Sequence, residues 1–329
     1  MTKPAIPSSR ILASHIPAPR VLGCDVAKDS ITLFDTAVAR PETVDNSPQA
    51  LKALFKRLES DVFVVCEATG GYEAALLAAA HDAGLSVHRA DPRKAKAFTR
   101  SLRSYGKTDA LDARALAAYG LERHHSLTLW QPMPQALQDL QKLARLRTDL
   151  VQARADYKRR LKAPGNGPDK GHIKSLINDL DQRIKDLEAD IEASLAQQPQ
   201  TTQITQTIEA IPGCGRVTAI TLAALMPELG QLSNRQAASL AGLAPHPNDT
   251  GKANRYRATR PGRQGIKRTM FIAAMAARRF NPYIRAKYND LIKNGKKPIV
   301  ALIACARKLI TIINAKIRDQ IYKKQKQLS

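Results

Sequence analysis

Two acidic residues at the predicted start of a helix have the spacing of a metal-binding pair. Asp109 and Asp112 follow Thr108, a residue type that favours the N-cap position, and several alanines continue the helix. Residues three apart project from one face of a helix, so these carboxylates repel each other unless a cation lies between them. Mg²⁺ is commonly held by one or two carboxylates together with substrate phosphates. The alternative is a solvated first turn whose acids face the positive end of the helix dipole.

Two further acids belong to strands predicted upstream. Residues 21–26 and 61–67 are apolar runs of strand length; the first contains Asp25 and the second ends in Glu67. A carboxylate buried in an apolar strand is costly unless it is paired or bound to a metal. Asp25 taken alone is equally well explained as a satisfied structural acid. If the four acids share one cation, their oxygens must converge on one point, since Mg–O bonds are about 2.0–2.1 Å long.

The elements that must position these acids alternate along the first third of the chain. Helices are predicted after the start signals Asn46-Ser47-Pro48 and Pro92, and after Gly70-Gly71. The predicted strands are 21–26, 30–35, 43–44, 61–67 and 85–88. The order is strand, strand, strand, helix, strand, helix, strand, helix, which predicts a mixed sheet covered by helices.

Three motifs carry the four acids. They are Gly23-Cys24-Asp25-Val26-Ala27-Lys28, Cys66-Glu67-Ala68-Thr69-Gly70 and Lys107-Thr108-Asp109-Ala110-Leu111-Asp112-Ala113-Arg114. Together they resemble the DEDD insertion-sequence transposases of the insertion-sequence 110 type, a family that includes Piv-type DNA invertases and bridge-RNA-guided recombinases. The resemblance implies an RNase H-like, RuvC-type domain at 21–130. It also implies that Asp25, Glu67, Asp109 and Asp112 are catalytic and bind Mg²⁺.

Beyond this domain the composition favours helices. Apolar residues at alternating spacings of four and three form a heptad seam: Ile173, Ile177, Leu180, Ile184, Leu187 and Ile191. With a second apolar stripe before a turn at 164–168, the seam predicts an antiparallel helical hairpin, or coiled coil, at 135–200. A surplus seam on this hairpin would meet another copy and give a homodimer or tetramer; packing within one chain is the alternative. The expected fold class is therefore α/β plus α, with a flexible arm at 1–20 and a basic α-helical C-terminal transposase domain at 205–329.

Charge identifies the class of partner. The chain has 52 Lys and Arg against 29 Asp and Glu, a net charge of +23, and residues 205–329 carry 23 basic and 5 acidic residues, net +18. Such an excess predicts a polyanion, either nucleic acid or an acidic membrane surface. No apolar run approaches the roughly 20 residues of a membrane span, which favours DNA. The widely spaced cysteines favour a reducing cytoplasm rather than a zinc site. The resemblance to insertion-sequence transposases implies a bacterial protein associated with the nucleoid.

The C-terminal region contains two candidate nucleic-acid contacts. Residues 211–217 have the pattern of a helix-hairpin-helix turn, in which Gly213 and Gly215 would let backbone N–H groups face a phosphate; a plain helix-turn-helix connection explains them nearly as well. A cationic loop follows, above helices predicted at 270–277 and 299–313. Its basic residues are Lys252, Arg255, Arg257, Arg260, Arg263, Lys267 and Arg268. Such a run repels itself unless phosphates neutralise it, although a solvated basic loop is the alternative.

The nucleophile is the point at which this chain departs from the family. Resembling members carry Ser-Gly after a Gly-Leu-x-Pro block, and this chain has Thr250-Gly251 there. Thr250 has the required hydroxyl, although its β-methyl group stiffens the side chain. The alternative is that Thr250 caps a turn while water attacks.

The resemblance therefore implies a transposase or site-specific DNA recombinase. It would cleave and rejoin donor and target DNA with Mg²⁺ and a hydroxyl nucleophile, guided by a bridge-type RNA. The alternatives are a Piv-like invertase without guide RNA, a RuvC-like hydrolytic junction nuclease, or a nucleic-acid-binding remnant without activity.

Overall fold

The computed structural model describes residues 20–102, 108–165, 167–245, 258–259, 262–263 and 265–328. It divides into two compact units, Met1–Met133 and Pro134–Ser329. Of the predicted site residues, Thr250, Lys252, Arg255, Arg257 and Arg260 lie outside the described residues.

The N-terminal unit follows the predicted order of elements. Its strands are β1 Arg20–Val26, β2 Ser30–Asp35, β3 Pro41–Asp45, β4 Val62–Glu67 and β5 Ser86–Ala90. Its helices are α1 Pro48–Lys56, α2 Ala74–Asp82, α3 Pro92–Ser101 and α4 Asp109–Arg123. The predicted start signals are confirmed by N-caps, since the side chains of Ser47, Asp91 and Thr108 each accept a hydrogen bond from a backbone N–H in the first turn.

The five strands form one mixed sheet in the order β3-β2-β1-β4-β5. The β1–β2 and β2–β3 pairs are antiparallel, whereas β1–β4 and β4–β5 are parallel. Cys24 of β1 pairs with Cys66 of β4. Parallel pairing brings the carboxyl ends of β1, β4 and β5 to the same edge of the sheet.

Helices cover both faces of this sheet. Leu22, Cys24 and Cys66 are buried on the face that packs against α1 and α2. Val21 and Val65 are buried on the opposite face, against α3 and α4. Because side chains alternate between faces along a strand, odd-numbered residues of β1 and β4 belong to the α4 side.

The C-terminal unit is helical throughout the residues that the structure describes, apart from one isolated bridge between Pro245 and Thr259. Its helices are α5 Gln135–Lys162, α6 Lys170–Ala196, α7 Pro199–Glu209, α8 Arg216–Leu225, α9 Asn234–Leu240, α10 Ile266–Phe280, α11 Pro282–Lys293 and α12 Pro298–Leu328. The prediction of a loop up to residue 270 is wrong, because α10 begins four residues earlier and includes Lys267 and Arg268.

Helices α5 and α6 form the predicted antiparallel hairpin. Ion pairs connect Arg147 to Glu188 at 2.5 Å and Arg160 to Asp169 at 3.5 Å. A later residue of α5 thus contacts an earlier residue of α6, so the two helices are antiparallel. The predicted heptad seam is fully buried, from Ile173 at 5% exposure to Ile191 at 1%. The interpretation of a surplus seam is therefore wrong, since this chain already covers it, and assembly into a dimer or tetramer stays a prediction.

The expectation that no apolar segment approaches the length of a membrane span is wrong for helix α12. Residues Pro298–Tyr322 form a helix that is long and apolar enough to span a membrane, with a mean hydropathy of 1.7. One face of α12 nevertheless belongs to the core of the C-terminal unit, where Leu309 and Ile313 are fully buried. The buried Asn314 side chain donates to the Leu232 carbonyl (2.8 Å) and accepts from the Gly230 N–H (2.9 Å). These polar contacts are those of a core helix, which passes the same length and composition test.

Candidate active site

Asp25 and Glu67 occupy equivalent positions at one edge of the sheet. Each follows a member of the paired Cys24 and Cys66, so they are neighbours at the carboxyl ends of adjacent parallel strands. Both are odd-numbered and therefore belong to the α4 side of the sheet. Asp25 lies within the apolar strand β1, as predicted, but both acids are half-buried rather than buried. The strand end leaves room for a carboxylate to meet solvent or a ligand.

Helix α4 is held against β1 by close backbone packing. A Cβ atom on Gly23 would lie 2.1 Å from the carbonyl oxygen of Ala113 and 2.4 Å from the amide nitrogen of Ala117. A Cβ atom on Gly120 would lie 2.7 Å from methyl carbons of Val21 and Val65. Higher numbers on α4 thus meet lower numbers on β1, and the helix runs antiparallel to the strand. Its N-terminus consequently lies beyond the carboxyl end of β1.

That placement brings the first turn of α4 to the edge where Asp25 and Glu67 lie. The Thr108 hydroxyl accepts a hydrogen bond from the Leu111 N–H at 3.3 Å and fixes the start of the helix. Asp112 is half-buried, one residue before the Ala113 that touches β1, whereas Asp109 is exposed in the first turn. The first two motifs and the third therefore meet at one edge of the sheet.

The electrostatics of Glu67 show which acids interact. Burial raises the pKa of Glu67, the charges of Asp25, Asp112 and Asp91 raise it further, and Lys96 acts in the opposite direction. Like charges disfavour ionisation when they share a site. The charges of Asp25 on β1 and Asp112 on α4 thus both act on Glu67 on β4.

The donor chemistry of this edge fits a hard divalent cation, because the coupled groups offer only carboxylate oxygens. Their side chains do not converge, however: among the described residues, no three His, Cys, Asp or Glu side chains are grouped closely enough to hold a metal ion. Metal binding therefore requires these side chains to rotate towards one another. The backbone arrangement permits this, since Asp25 and Glu67 lie next to each other near the carboxyl ends of adjacent strands.

An ion pair between the buried Glu73 and the partly exposed Arg89, which the sequence did not predict, secures the loop after Glu67. Glu73 is 2% exposed, and its carboxylate accepts hydrogen bonds from the Gly71 N–H at 2.9 Å and the Thr69 hydroxyl at 3.0 Å. The Arg89 guanidinium on β5 donates to the other carboxylate oxygen, with its Nε at 2.8 Å. Burial alone would raise the pKa of Glu73, but backbone N–H groups and Arg89 outweigh it and lower the pKa to about 2.

Asn46 joins the loops that follow the two strand acids. Its side-chain amide donates to the Ala27 carbonyl at 2.9 Å and the Tyr72 carbonyl at 3.1 Å. Ala27 lies two residues after Asp25, and Tyr72 belongs to the loop after Glu67. A single side chain thus fixes both loops at the edge that carries the acids.

The described side chains among the predicted nucleic-acid contacts of the C-terminal unit already have protein hydrogen-bond partners. Arg263 donates to Glu228 at 2.5 Å and to the Leu225 carbonyl at 2.7 Å, so its guanidinium already has protein partners. Lys267 donates to the Thr259 hydroxyl at 2.6 Å. Arg268 is exposed on α10 and donates to the Gln152 side chain.

The glycines between α7 and α8 also differ from each other. Gly213 has a φ of +97°, and a Cβ atom there would lie 2.3 Å from Cα of Ala277. It is therefore required for packing against α10. Gly215 is the exposed N-cap residue of α8 with open space around it, and a phosphate could approach its N–H. The structure thus fits a helix-turn-helix connection with one accessible glycine.

Two family profiles match most of the chain. Residues 22–164 match a DEDD profile of the IS110 type, described as Transposase. Residues 205–289 match a second profile, described as Transposase IS116/IS110/IS902 family. The chain belongs to the IS110-type transposase family. The first match includes all four acids of the candidate active site, and the second includes Gly213 and the cationic segment.

Relatives of this transposase carry two kinds of name. An insertion element IS110 uncharacterized protein of Streptomyces coelicolor is 31% identical over 161 residues, which are 47% of this chain but only 39% of that protein. The pilin gene-inverting protein of Moraxella bovis is 27% identical over 325 residues, 91% of this chain and 95% of that protein. A pilin gene-inverting protein of Moraxella lacunata is 27% identical over 79% of this chain and 81% of its own.

Proposed function

We propose that this transposase cleaves and rejoins DNA strands at the acidic edge of its N-terminal sheet, in an RNase H-like domain of the RuvC type. The observation that carries the proposal is the placement of three distant motifs at one edge: Asp25 and Glu67 follow the paired Cys24 and Cys66, and the Gly23–Ala113 contact sets the first turn of α4 beside them. The β3-β2-β1-β4-β5 sheet with an antiparallel edge and a parallel half supports the fold assignment. Membership of a transposase family supports DNA as the substrate.

Asp25, Glu67, Asp109 and Asp112 would hold Mg²⁺, with Asp109 joining the set by rotation of its exposed side chain. Bound Mg²⁺ would neutralise the scissile phosphate and stabilise the leaving oxygen. The protein's own contribution is positional. The Gly23–Ala113 contact and the Thr108 cap fix α4, and Asn46 and Glu73 fix the loops after the strand acids.

We propose the Thr250 hydroxyl as the nucleophile. Its oxygen would attack phosphorus, so that an Oγ–P bond forms while one backbone P–O bond of DNA breaks. The hydroxyl proton passes to a base, and the leaving oxygen takes up a proton. A hydroxyl of the second strand then reverses these changes and releases Thr250. Because the phosphodiester energy is kept in the covalent joint, rejoining needs no external energy source.

The test of the nucleophile is the covalent joint itself. The full chain is incubated with Mg²⁺ and DNA that flanks its coding sequence, denatured, and analysed for labelled DNA attached to protein. Thr250→Ser should retain or increase the adduct, because it keeps the hydroxyl and removes the β-methyl group. Thr250→Val, which is nearly isosteric, should abolish it. The matched control is Thr259→Val, which should leave the adduct yield unchanged.

A normal adduct from Thr250→Val would exclude Thr250. Cleavage without any adduct would instead support the hydrolytic junction nuclease, in which water attacks. The relatives named pilin gene-inverting proteins, one of which aligns with 91% of this chain, favour site-specific inversion as a second candidate outcome. A plasmid carrying two inverted copies of the flanking DNA distinguishes inversion from transposition by the product formed.

A guide RNA and the oligomeric state are also proposals. We propose that a bridge-type RNA guides the reaction and that the protein acts as a homodimer or tetramer on donor and target DNA. Sequencing RNA that copurifies with the protein tests the first, and light scattering of the protein with its DNA tests the second. RNA without a defined sequence, or a monomer that is fully active, would contradict them.

A further inference from the structure

The corner where α10, α11 and α12 meet carries an excess of cations. Residues 278–308 contain nine Lys and Arg and one acid, Asp290, a net charge of +8. Among the described residues, none of these nine cations has an acidic side chain within ion-pair distance, since the ion pairs of the C-terminal unit involve other cations. This region lies outside the cationic segment at 252–268 that the sequence pattern indicated.

The helical hairpin of the same unit provides a contrast. Residues 135–200 contain 12 Lys and Arg and 10 Asp and Glu, so their net charge is only +2. Arginines on the hairpin are paired with acids, as in Arg147–Glu188 at 2.5 Å and Arg183–Asp179 at 3.2 Å. Positive charge is therefore concentrated at the 278–308 corner rather than spread evenly over the C-terminal unit. Its unpaired charge requires an anionic partner.

Two aromatic rings are exposed at this corner. Phe280, the last residue of α10, is 69% exposed, and Tyr283 in the first turn of α11 is 55% exposed. Aromatic residues make up only 5% of the chain. The two rings are three residues apart and expose apolar surface to water. A flat partner that covers them would make a favourable contribution to the free energy by removing this surface from water.

Both rings are fixed by the junction between the helices. The buried Asn281 caps α11, because its side-chain oxygen accepts from the Tyr283 N–H at 3.1 Å and the Ile284 N–H at 3.3 Å. Its amide nitrogen donates to the Pro212 carbonyl at 3.4 Å. The backbone that carries the rings is therefore anchored to the core, so little backbone entropy is lost when they bind a ligand.

A cation lies over one face of Tyr283, and another lies over the partly buried Tyr288. The Lys308 ammonium is 5.2 Å from the centre of the Tyr283 ring, and the Arg278 guanidinium is 4.8 Å from the centre of the Tyr288 ring. The Arg285 guanidinium lies across the end of α10, where it donates to the Arg279 carbonyl. Cations and exposed rings are thus neighbours where α10, α11 and α12 meet.

We propose that this corner binds an unpaired stretch of nucleic acid, with bases stacked on Phe280 and Tyr283 and phosphates held by Arg279, Lys308 and their neighbours. Unpaired nucleic acid fits better than a duplex, because a duplex buries the faces of its bases and would use only the cations. An acidic protein would pair with the cations but would not stack on the two flat rings. The inference deepens the proposed function, on which it rests for the source of the strand, whether cleaved DNA or a guide RNA.

The test measures binding by fluorescence anisotropy with the full-length Asp25→Asn protein, so that cleavage cannot intervene. The probes are a labelled oligo(dT), a labelled oligo(rU) and a duplex of equal length. Base stacking predicts that Phe280→Ala and Tyr283→Ala each weaken binding of an unpaired probe roughly 5- to 100-fold and change duplex binding less than twofold. The matched control is Tyr322→Ala, which removes a ring that is 54% exposed elsewhere on α12. Tyr322→Ala should leave the affinity for all three probes unchanged.

A second variant separates charge from stacking. Lys308→Gln should lower the slope of log K against log[salt] on oligo(dT) by about 0.7, the value expected for one phosphate contact on a single strand. A larger effect on oligo(dT) than on oligo(rU) would identify DNA as the source, and the reverse would identify RNA. Equal losses on duplex and unpaired probes, or no loss from either aromatic variant, would overturn the proposal. If the unsubstituted protein shows no strand transfer while oligonucleotide binding still depends on Phe280 and Tyr283, that result would count against the proposed function alone.

Discussion

The close packing of α4 on β1 predicts a large effect from the smallest possible substitution, Gly23→Ala. The added Cβ would lie 2.1 Å from the Ala113 carbonyl oxygen, 2.4 Å from the Ala117 nitrogen and 2.9 Å from its Cα, whereas ordinary contacts begin at 3.4 Å. All three neighbours are backbone atoms, which cannot rotate away. The helix must therefore move out by roughly 1 Å, and such overpacking costs about 1–3 kcal/mol, so we expect a value near the upper end.

Urea denaturation followed by fluorescence measures this cost. Trp130 is the only tryptophan of the chain and packs against the core of the N-terminal unit, so its emission reports on that unit. Gly120→Ala should cost less, because its Cβ would meet methyl groups of Val21 and Val65 at 2.7 Å, and side chains can give way. Gly171→Ala on α6, with open space around it, is the neutral control by circular dichroism.

The same substitution should also reduce activity. A displaced α4 carries Asp109 and Asp112 with it, and a misplacement of about 1 Å in an active site can cost roughly 100-fold in rate. Gly23→Ala protein should therefore lose DNA cleavage at temperatures at which it is still folded. Unfolding and cleavage both within error of the unsubstituted protein would refute the packing argument, and with it the placement of the two acids.

Three further substitutions test individual side chains. Glu73→Gln should cost about 2 kcal/mol at pH 7, which is less than the roughly 3 kcal/mol of the full pKa difference because solvent screens the 44% exposed Arg89. The lowered pKa of about 2 stabilises the fold above pH 4.5, and this is lost as pH falls towards 2; a urea midpoint equal to that of the unsubstituted protein at pH 7 would contradict it. Glu67→Gln should raise the thermal midpoint at pH 7, since its raised pKa means that the charged form destabilises the fold; a lower midpoint would contradict the coupling. Arg263→Gln should cost about 1 kcal/mol through its bonds to Glu228 and the Leu225 carbonyl without changing the salt dependence of DNA binding; a flatter salt slope would return Arg263 to the phosphate contacts.

Most of the N-terminal unit could be predicted because its signals are local. Ser47 and Thr108 are N-caps by residue type, and the alternation at 30–35 gives β2 its exact bounds. Strand pairing is not local, however. That Asp25 and Glu67 lie next to each other near the carboxyl ends of adjacent strands follows from the register of Cys24 with Cys66, which no single strand specifies.

Other features had weak or ambiguous signals. Gly23 within an apolar strand is a mark of close backbone approach, and the structure shows that approach as the contact with α4. Glu73 follows a Gly-Gly turn, where a charged residue is ordinarily exposed, so its burial against Arg89 could not be inferred. Heptad spacing indicates a seam at 173–191 but does not specify whether its partner helix belongs to the same chain.

The C-terminal unit shows how charge can hide helix periodicity. Ile266 and Met270 are four residues apart and both fully buried, but the cations between them suggested a loop. Likewise α11 presents one buried residue, Ile284, and so has almost no apolar stripe to detect. The further binding surface lies on these same elements, which explains why composition located the basic region but not the corner within it.

The most direct test of the acidic site is Mg²⁺-dependent cleavage of the flanking DNA by matched carboxylate variants. Asp25→Asn removes one coupled acid, and Asp45→Asn removes an exposed acid on the edge strand β3 of the same sheet. We expect Asp45→Asn to cleave with the Mg²⁺ dependence of the unsubstituted protein, and Asp25→Asn to be inactive at every Mg²⁺ concentration although it is folded. Cleavage by Asp25→Asn, or by the unsubstituted protein in EDTA, would contradict the account.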